Sequence, residues 1–334
     1  MTTPLPTLAS TETPQAPVAA LKGVAISIRG ISIVSRVDLE VSPGESVGLV
    51  GESGSGKSVT CRALMGLLGL INGEVTGGTI LIEGVDMAGA RERQWSSVRG
   101  RVVSLVPQAS LAGLDPVMKV GRQLAEVVRR HDPGADTRER CLELLDLVQM
   151  PKPEQVLASY PHQLSGGMRQ RAMIAAGIAG RPRLLVADEP TTALDASVQQ
   201  AILRMLQRLR EELGMALVLV SHDLSAIRKA TDSVAVMYAG SLVESGPTNA
   251  LLAAPRHPYS SALIGSDPAL VDRGRSLRSL YGDPPQPGAW PEGCRFHPRC
   301  RHTVDACRVG PQPPITVEQD SRTVACLRSG ELSL

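Results

Sequence analysis

Gly51-Glu52-Ser53-Gly54-Ser55-Gly56-Lys57-Ser58 spaces glycines, a lysine and a hydroxyl so that they could hold a phosphate. The glycines let backbone N–H groups turn inward around an anion. A helix that follows adds its unpaired N-terminal amides and the positive end of its dipole. Lys57 would then reach the β- and γ-phosphates of a nucleotide, and Ser58 would put its hydroxyl on Mg2+. The flanking residues predict that context. Val47-Gly48-Leu49-Val50 reads as a short buried strand, and the apolar spacing of residues 59–70 reads as a helix. The alternative, a glycine-rich surface turn, is decided by the rest of the chain.

Three more apolar stretches end in polar groups. Residues 102–106 lead to Pro107-Gln108, where Gln108 by itself is no more than a loop residue. Residues 183–187 lead to Asp188-Glu189. Adjacent carboxylates at the end of an apolar strand are costly unless a metal or a water needs them. The first would hold Mg2+ and the second would orient or deprotonate a water. Residues 216–220 lead to Ser221-His222-Asp223, with His222 either a turn residue or a functional one. Leu164-Ser165-Gly166-Gly167 opens a helix of small residues, so Ser165 is either a simple N-cap or part of a second anion site. In open α/β sheets ligands bind outside the carboxyl ends of the strands. One nucleotide site accounts for all four strand ends, and an α/β fold follows.

The elements that must position these groups fit the composition. With 334 residues, 43% hydrophobic and 20% charged, the chain can bury a sizeable core and carry one large domain plus an appendage, or two domains. A net charge of +2 argues against an extended nucleic-acid surface. A single phenylalanine and 2% aromatics argue against base-stacking platforms. No run reaches the ~18–20 apolar residues of a membrane-spanning helix. Residues 1–19, rich in Pro, Thr and Ala, read as a disordered leader without the pattern of a signal peptide, which leaves the chain in the cytoplasm. Residues 24–28 and 31–34 predict antiparallel strands around an Arg29-Gly30 turn, residues 79–82 another strand, and residues 117–164 a helical insertion.

In this order the motifs resemble the nucleotide-binding subunit of an ATP-binding-cassette (ABC) transporter. GESGSGKS is similar to its Walker A loop, Gln108 to its Q-loop, LSGGMRQR to its signature and LLVADEP to its Walker B strand. Ala193-Leu194-Asp195 matches the D-loop and Ser221-His222-Asp223 the H-loop. The resemblance implies a P-loop NTPase core over 20–255, with an antiparallel β subdomain and a helical subdomain at about 109–178. It implies a head-to-tail dimer that sandwiches two ATP molecules. Gly51, Ser53, Gly54, Ser55, Gly56, Lys57, Ser58 and Val59 would bind the nucleotide of one subunit. Ser165, Gly166 and Gly167 would serve the partner's, and Asp195 of the D-loop would also belong to the nucleotide-binding set. Ser58, Gln108 and Asp188 would surround Mg2+, Glu189 would be the general base, His222 would steady water and γ-phosphate, and Gln108 would sense them. The segment 109–120 would face a permease. One departure stands out: no Phe, Tyr or Trp precedes Trp95, so Ile28 or a neighbour takes the place of the family's adenine-stacking aromatic.

Beyond Gly246-Pro247 the cassette pattern stops. Tyr160-Pro161-His162-Gln163, His257-Pro258-Tyr259, Gly282-Asp283-Pro284-Pro285 and Gly293-Cys294-Arg295-Phe296-His297-Pro298-Arg299-Cys300 resemble the peptide-importer branch, with its dipeptide, oligopeptide and nickel relatives. That implies ATP-driven uptake of di- and oligopeptides at the cytoplasmic face of the inner membrane. The partners would be a second cassette (a sister chain in preference to a second copy), two integral permease subunits and, indirectly, an extracytoplasmic solute-binding protein. No nucleic acid is expected. Nickel, metal–opine and glutathione import are alternatives, and a soluble non-transport ABC ATPase is the alternative of another class. Cys61 and Cys141 lie in predicted helices as ordinary buried thiols. Cys294, Cys300, Cys307 and Cys326 form C-x5-C-x6-C-x18-C in the 256–334 extension. In a cytoplasmic chain such a set reads as a metal site. By resemblance the metal group would be a 4Fe–4S cluster in preference to Zn2+, acting as a structural staple, with free thiols and no metal as the remaining alternative.

Overall fold

Strands that lack polar alternation must be covered on both faces. β3 (Ser46–Val50), β7 (Leu184–Asp188) and β8 (Ala216–Val220) are buried along their whole length. The structure, a computed structural model, describes residues 16–108, 113–270, 280–317, 320, 322–332 and 334. Most of the expected leader (1–15) and residues 109–112 of the segment after Gln108 lie outside the described residues.

The main sheet carries β6 (Val103–Val106), β7, β8, β3 and β9 (Ser233–Tyr238) side by side and all parallel, with registers such as Val47↔Val218 and Val47↔Ser233. β10 (Ser241–Pro247) turns back antiparallel on β9. Successive residues of each central strand serve opposite cores. Leu185, Ala187, Leu217 and Leu219 pack on one side, and Leu184, Val186, Val218 and Val220 on the other. The first core takes α7 (Ala196–Leu213), α8 (Leu224–Ala230) and the helical insertion: α3 (Val120–His131), α4 (Thr137–Leu147), α5 (Pro153–Ala158) and α6 (Gly166–Ile178). The second takes α1 (Lys57–Leu64), α2 (Glu92–Val98) and an antiparallel sheet of β1 (Ala19–Ile28), β2 (Ile31–Val41), β4 (Gly73–Ile82) and β5 (Val85–Asp86), in the order β2-β1-β4-β5.

α1 and β4 depart from the sequence expectation for identifiable reasons, while β1 and β2 are simply longer than expected. α1 ends at Leu64 instead of running to residue 70, because the chain turns at Gly66 with φ +62°. The Trp95 ring lies so close there that a Cβ would meet it at 2.2 Å. β4 starts at Gly73, ahead of the expected residue 79, because residues 73–77 pair with the second half of β1.

The chain beyond β10 folds back onto the cassette. After α9 (Thr248–Ala253) and α10 (Pro258–Gly265), its strands β11 (Thr316–Val317) and β12 (Thr323–Val324) extend the main sheet past β10, with Glu244 opposite Val324. Tail arginines reach inward as well. Arg295 stacks on Trp290 and donates to Ala239 O and Ser241 Oγ. Arg322 donates to Glu244 Oε1 at 2.6 Å, a pair exposed by only 3% and 0%. Glu244 also accepts the N–H groups of Arg256 and His257, so one buried carboxylate ties β10, α10 and β12 together. Removing one partner of such a pair leaves the other charge buried alone. Glu244→Ala should therefore lower stability by about 3–5 kcal/mol, read from urea unfolding of the purified chain.

Candidate nucleotide site

The phosphate loop leaves β3 at Gly51, whose φ of +145° comes with a near contact. A Cβ there would stand 2.1 Å from Met237 O, so only glycine passes beside β9. Gly56 (φ +103°) caps α1, and Lys57 occupies the first turn. The Lys57 ammonium is buried. It donates to Gly51 O at 2.7 Å, Glu52 O at 2.9 Å and Ser55 Oγ at 3.4 Å. Burial lowers its pKa, and the nearby Glu189 and Asp188 charges pull it partly back. Next along the helix, Ser58 Oγ donates to Asp188 Oδ1 at 3.1 Å. Val59 follows half-buried, and Ser53 and Gly54 are exposed at the loop's tip. A hydroxyl and a carboxylate side by side form a donor set for a hard divalent cation such as Mg2+.

Glu189 follows the end of β7 with φ +48°, a left-handed conformation that costs a non-glycine residue roughly 1–3 kcal/mol. Its N–H donates to Val220 O at 3.0 Å, fixing it against the tip of β8. Its Oε2 atom accepts from Gln108 Nε2 at 2.7 Å and Thr192 Oγ1 at 2.9 Å, and His222 Nδ1 stands 3.6 Å away. One carboxylate oxygen thus gathers groups from the ends of β6, β7 and β8. Thr192, three residues beyond Glu189, is a site residue that the motif spacing did not mark.

Ser165 does cap α6, accepting from Met168 N at 3.3 Å. Asp195 caps α7 through Ser197 N at 3.1 Å and Val198 N at 3.0 Å. Gly166 and Gly167 lie against Leu194 and Val198, so the signature and the D-loop pack on each other. Among the described residues no hydrogen bond joins Ser165, Gly166, Gly167 or Asp195 to the phosphate loop. Within one chain the predicted residues form two groups. Ile28 ends β1 half-buried, in contact range of Gly73.

Cys294, Cys300, Cys307 and Cys326 are free thiols that line one pocket with His257 and Phe296. Among the described residues, however, no three His, Cys, Asp or Glu side chains stand around one point closely enough to hold a metal ion. Burial first, and the neighbouring thiols next, push Cys294 up to about 11 and raise Cys326. Burial likewise raises Cys300. The described residues thus lend the expected four-thiolate iron–sulfur or zinc site no direct support. Cys61 and Cys141 are buried free thiols, as expected from their helices.

Asp188 shows what the site costs. Burial raises its pKa, the Glu189 charge raises it further, and the Ser58 hydrogen bond opposes both. A carboxyl with a raised folded pKa adds stability below the ordinary carboxylate range and loses that contribution as pH rises through the folded value. At neutral pH the ionised group is therefore a liability in the nucleotide-free chain. Asp188→Asn should raise the thermal midpoint at pH 7 by roughly 1–3 °C, with the gain vanishing at acid pH, in scans without nucleotide or Mg2+.

The comparisons agree with this geometry. The family model described as ABC transporter matches residues 34–192, and that described as oligopeptide/dipeptide transporter, C-terminal region, matches residues 243–307. The oligopeptide transport ATP-binding protein AppD of Bacillus subtilis (strain 168) is 40% identical over 298 residues, covering 89% of this chain and 90% of AppD. Among solved structures, the dimeric post-hydrolysis state of the ATP-binding cassette MJ0796 bound to ADP and Pi superimposes with a TM-score of 0.61 at 27% identity. It covers 69% of this chain and 98% of that one. A second dimeric structure of MJ0796, a bacterial ABC transporter cassette, gives a TM-score of 0.61 at 26% identity. A phosphate loop, a hydroxyl–carboxylate pair and a glutamate held by three strand ends, matched along nine-tenths of a peptide-transport relative, place this chain in the ABC transporter family, among the ATP-binding subunits of peptide importers.

Proposed function

We propose that this chain hydrolyses ATP to drive import of di- and oligopeptides through a membrane permease. The observation that carries the hydrolytic half is the Glu189 carboxylate, held by Gln108 and Thr192 and flanked by His222, one residue from the Ser58–Asp188 pair. Lys57 and the loop amides bind the β- and γ-phosphates and offset their charge. Ser58, Gln108 and Asp188 hold Mg2+, which when bound neutralises charge developing on the transferred phosphoryl group. Glu189 takes a proton from the attacking water, and Gln108 and Thr192 keep its oxygen aimed. His222 holds water and γ-phosphate in line.

Ser165, Gly166, Gly167 and Asp195 complete the partner's site in a head-to-tail dimer. Their separation from the chain's own phosphate loop supports that reading, as does the dimeric form of the similar cassette MJ0796. ATP closes the dimer, hydrolysis reopens it, and the work comes from the different affinity of the two states for nucleotide. The cassette spans 20–255 and the extension 256–334. The partner cassette is a sister chain, and two permease subunits receive the motion through the segment after Gln108 at the cytoplasmic face of the membrane. A solute-binding protein outside selects the peptide. No helix among the described residues is long and apolar enough to cross a membrane, consistent with a peripheral subunit. The similarity to AppD, an oligopeptide transport ATP-binding protein, supports the peptide substrate. For the tail, the convergence of the cysteines on one pocket supports a thiolate-held iron–sulfur group only if the loaded protein draws the thiols together.

Glu189→Gln should cut ATP turnover by about 100-fold or more while leaving a Mg-ATP-bound dimer on size exclusion with light scattering. A variant that hydrolyses normally and stays monomeric with ATP overturns the base assignment. For the tail group, anaerobically purified protein should contain iron and acid-labile sulfide. Zinc or no metal in that preparation rules the iron–sulfur reading out.

A further inference from the structure

The extension reaches the phosphate loop itself. Arg299 grips Glu52, the second residue of that loop, with both guanidinium nitrogens: Nη1 to Oε2 at 2.6 Å and Nη2 to Oε1 at 3.0 Å. The Arg299 side chain is only 5% exposed, and that of Glu52 23%. Its Nε donates to Tyr281 O at 2.8 Å, and Nη1 lies 3.4 Å from the Tyr238 hydroxyl. Tyr259, on α10, accepts the backbone N–H of Glu52 at its hydroxyl, at 2.8 Å. So the tail holds both the backbone and the side chain of one residue in the loop. That residue's carbonyl in turn accepts from the Lys57 ammonium at 2.9 Å. From the open side, Pro284, Pro285 and Pro287 line a pocket against Ser53 and Gly54.

Bidentate, charge-assisted pairs that are nearly dry fix geometry as well as add energy. An N–H that faced no acceptor at Tyr259 would have to find water or another partner, and the peptide would turn with it. The Glu52 carbonyl is one of the two backbone oxygens on Lys57, so any rotation of that peptide moves the ammonium that would meet the β- and γ-phosphates.

We propose that Arg299 and Tyr259 of the C-terminal extension are positioning residues of the nucleotide site, setting the Glu52 peptide and through it Lys57 for the phosphates. ATP affinity then depends on a docked tail. The inference rests on the reading of the loop as an ATP site and adds a dependence on residues some 200 positions away in the chain. It also gives the tail a role that stands apart from any group on its cysteines.

The test is equilibrium binding of a fluorescent Mg-ATP analogue to the full chain, with the nucleotide-free thermal midpoint measured in parallel. Arg299→Gln and Glu52→Gln should each weaken binding about tenfold, and the double variant should be no weaker than either single one, because each breaks the same pair. Arg299→Lys should recover part of the affinity, a single ammonium being unable to match both carboxylate oxygens. Tyr259→Phe should weaken binding about threefold. A folded Arg299→Gln chain that binds as tightly as wild type, or losses that multiply in the double variant, would overturn the proposal. If Arg299→Gln does not fold, Glu52→Gln and Tyr259→Phe decide in the same way, since wild-type affinity in both would overturn it. A wild-type chain that fails to bind the analogue at all would instead sink the ATP-site reading.

Discussion

Parallel pairing of β6, β7, β8 and β3 is the constraint from which the site follows. Strands that run in one direction end on one side, and their buried, largely apolar lengths put the charged and amide groups just beyond those ends. Lys57, Asp188, Glu189, Gln108 and His222 come from distant parts of the chain yet stand in one row for that reason. The cost is visible in the same place. Lys57 and Asp188 carry charges inside the protein that burial disfavours, and Glu189 takes a left-handed backbone. A nucleotide and a divalent cation answer both charges, so stability is held back at the site where binding restores it.

Gln108 is at once a partner of Glu189 and, in chain order, the residue before the segment that leads to the helical insertion. Ser165 and Asp195 cap neighbouring helices, and Gly166 and Gly167 pack against Leu194 and Val198.

The tail is less of an appendage than its composition suggests. It lengthens the main sheet by two strands, buries Arg322 on Glu244 and Arg295 under Trp290, and sets Phe296 among Tyr238 and Tyr259. These are contacts over long sequence separations, and each arginine finds its acceptor in the cassette. Its cysteines line one pocket, and among the described residues no three metal-ligating side chains stand around one point.

By itself the sequence determined the four strands that end at the site, the phosphate loop and the identity of the groups at those ends. Those rest on local signals: apolar runs of strand length, glycines at loop spacing, carboxylates where an apolar run stops. It misplaced the end of α1, because Trp95, which ends it at Gly66, is 29 positions away. It also could not show Thr192 on Glu189, Arg299 on Glu52 or Glu244 at the centre of the tail's anchor. Hydrogen bonds between side chains leave no period or spacing in a sequence, since only the folded backbone sets which donors reach which acceptors. The four cysteines make the same point in reverse: their spacing announced ligands, but whether thiols become ligands depends on distances and on burial, and tertiary structure alone decides both.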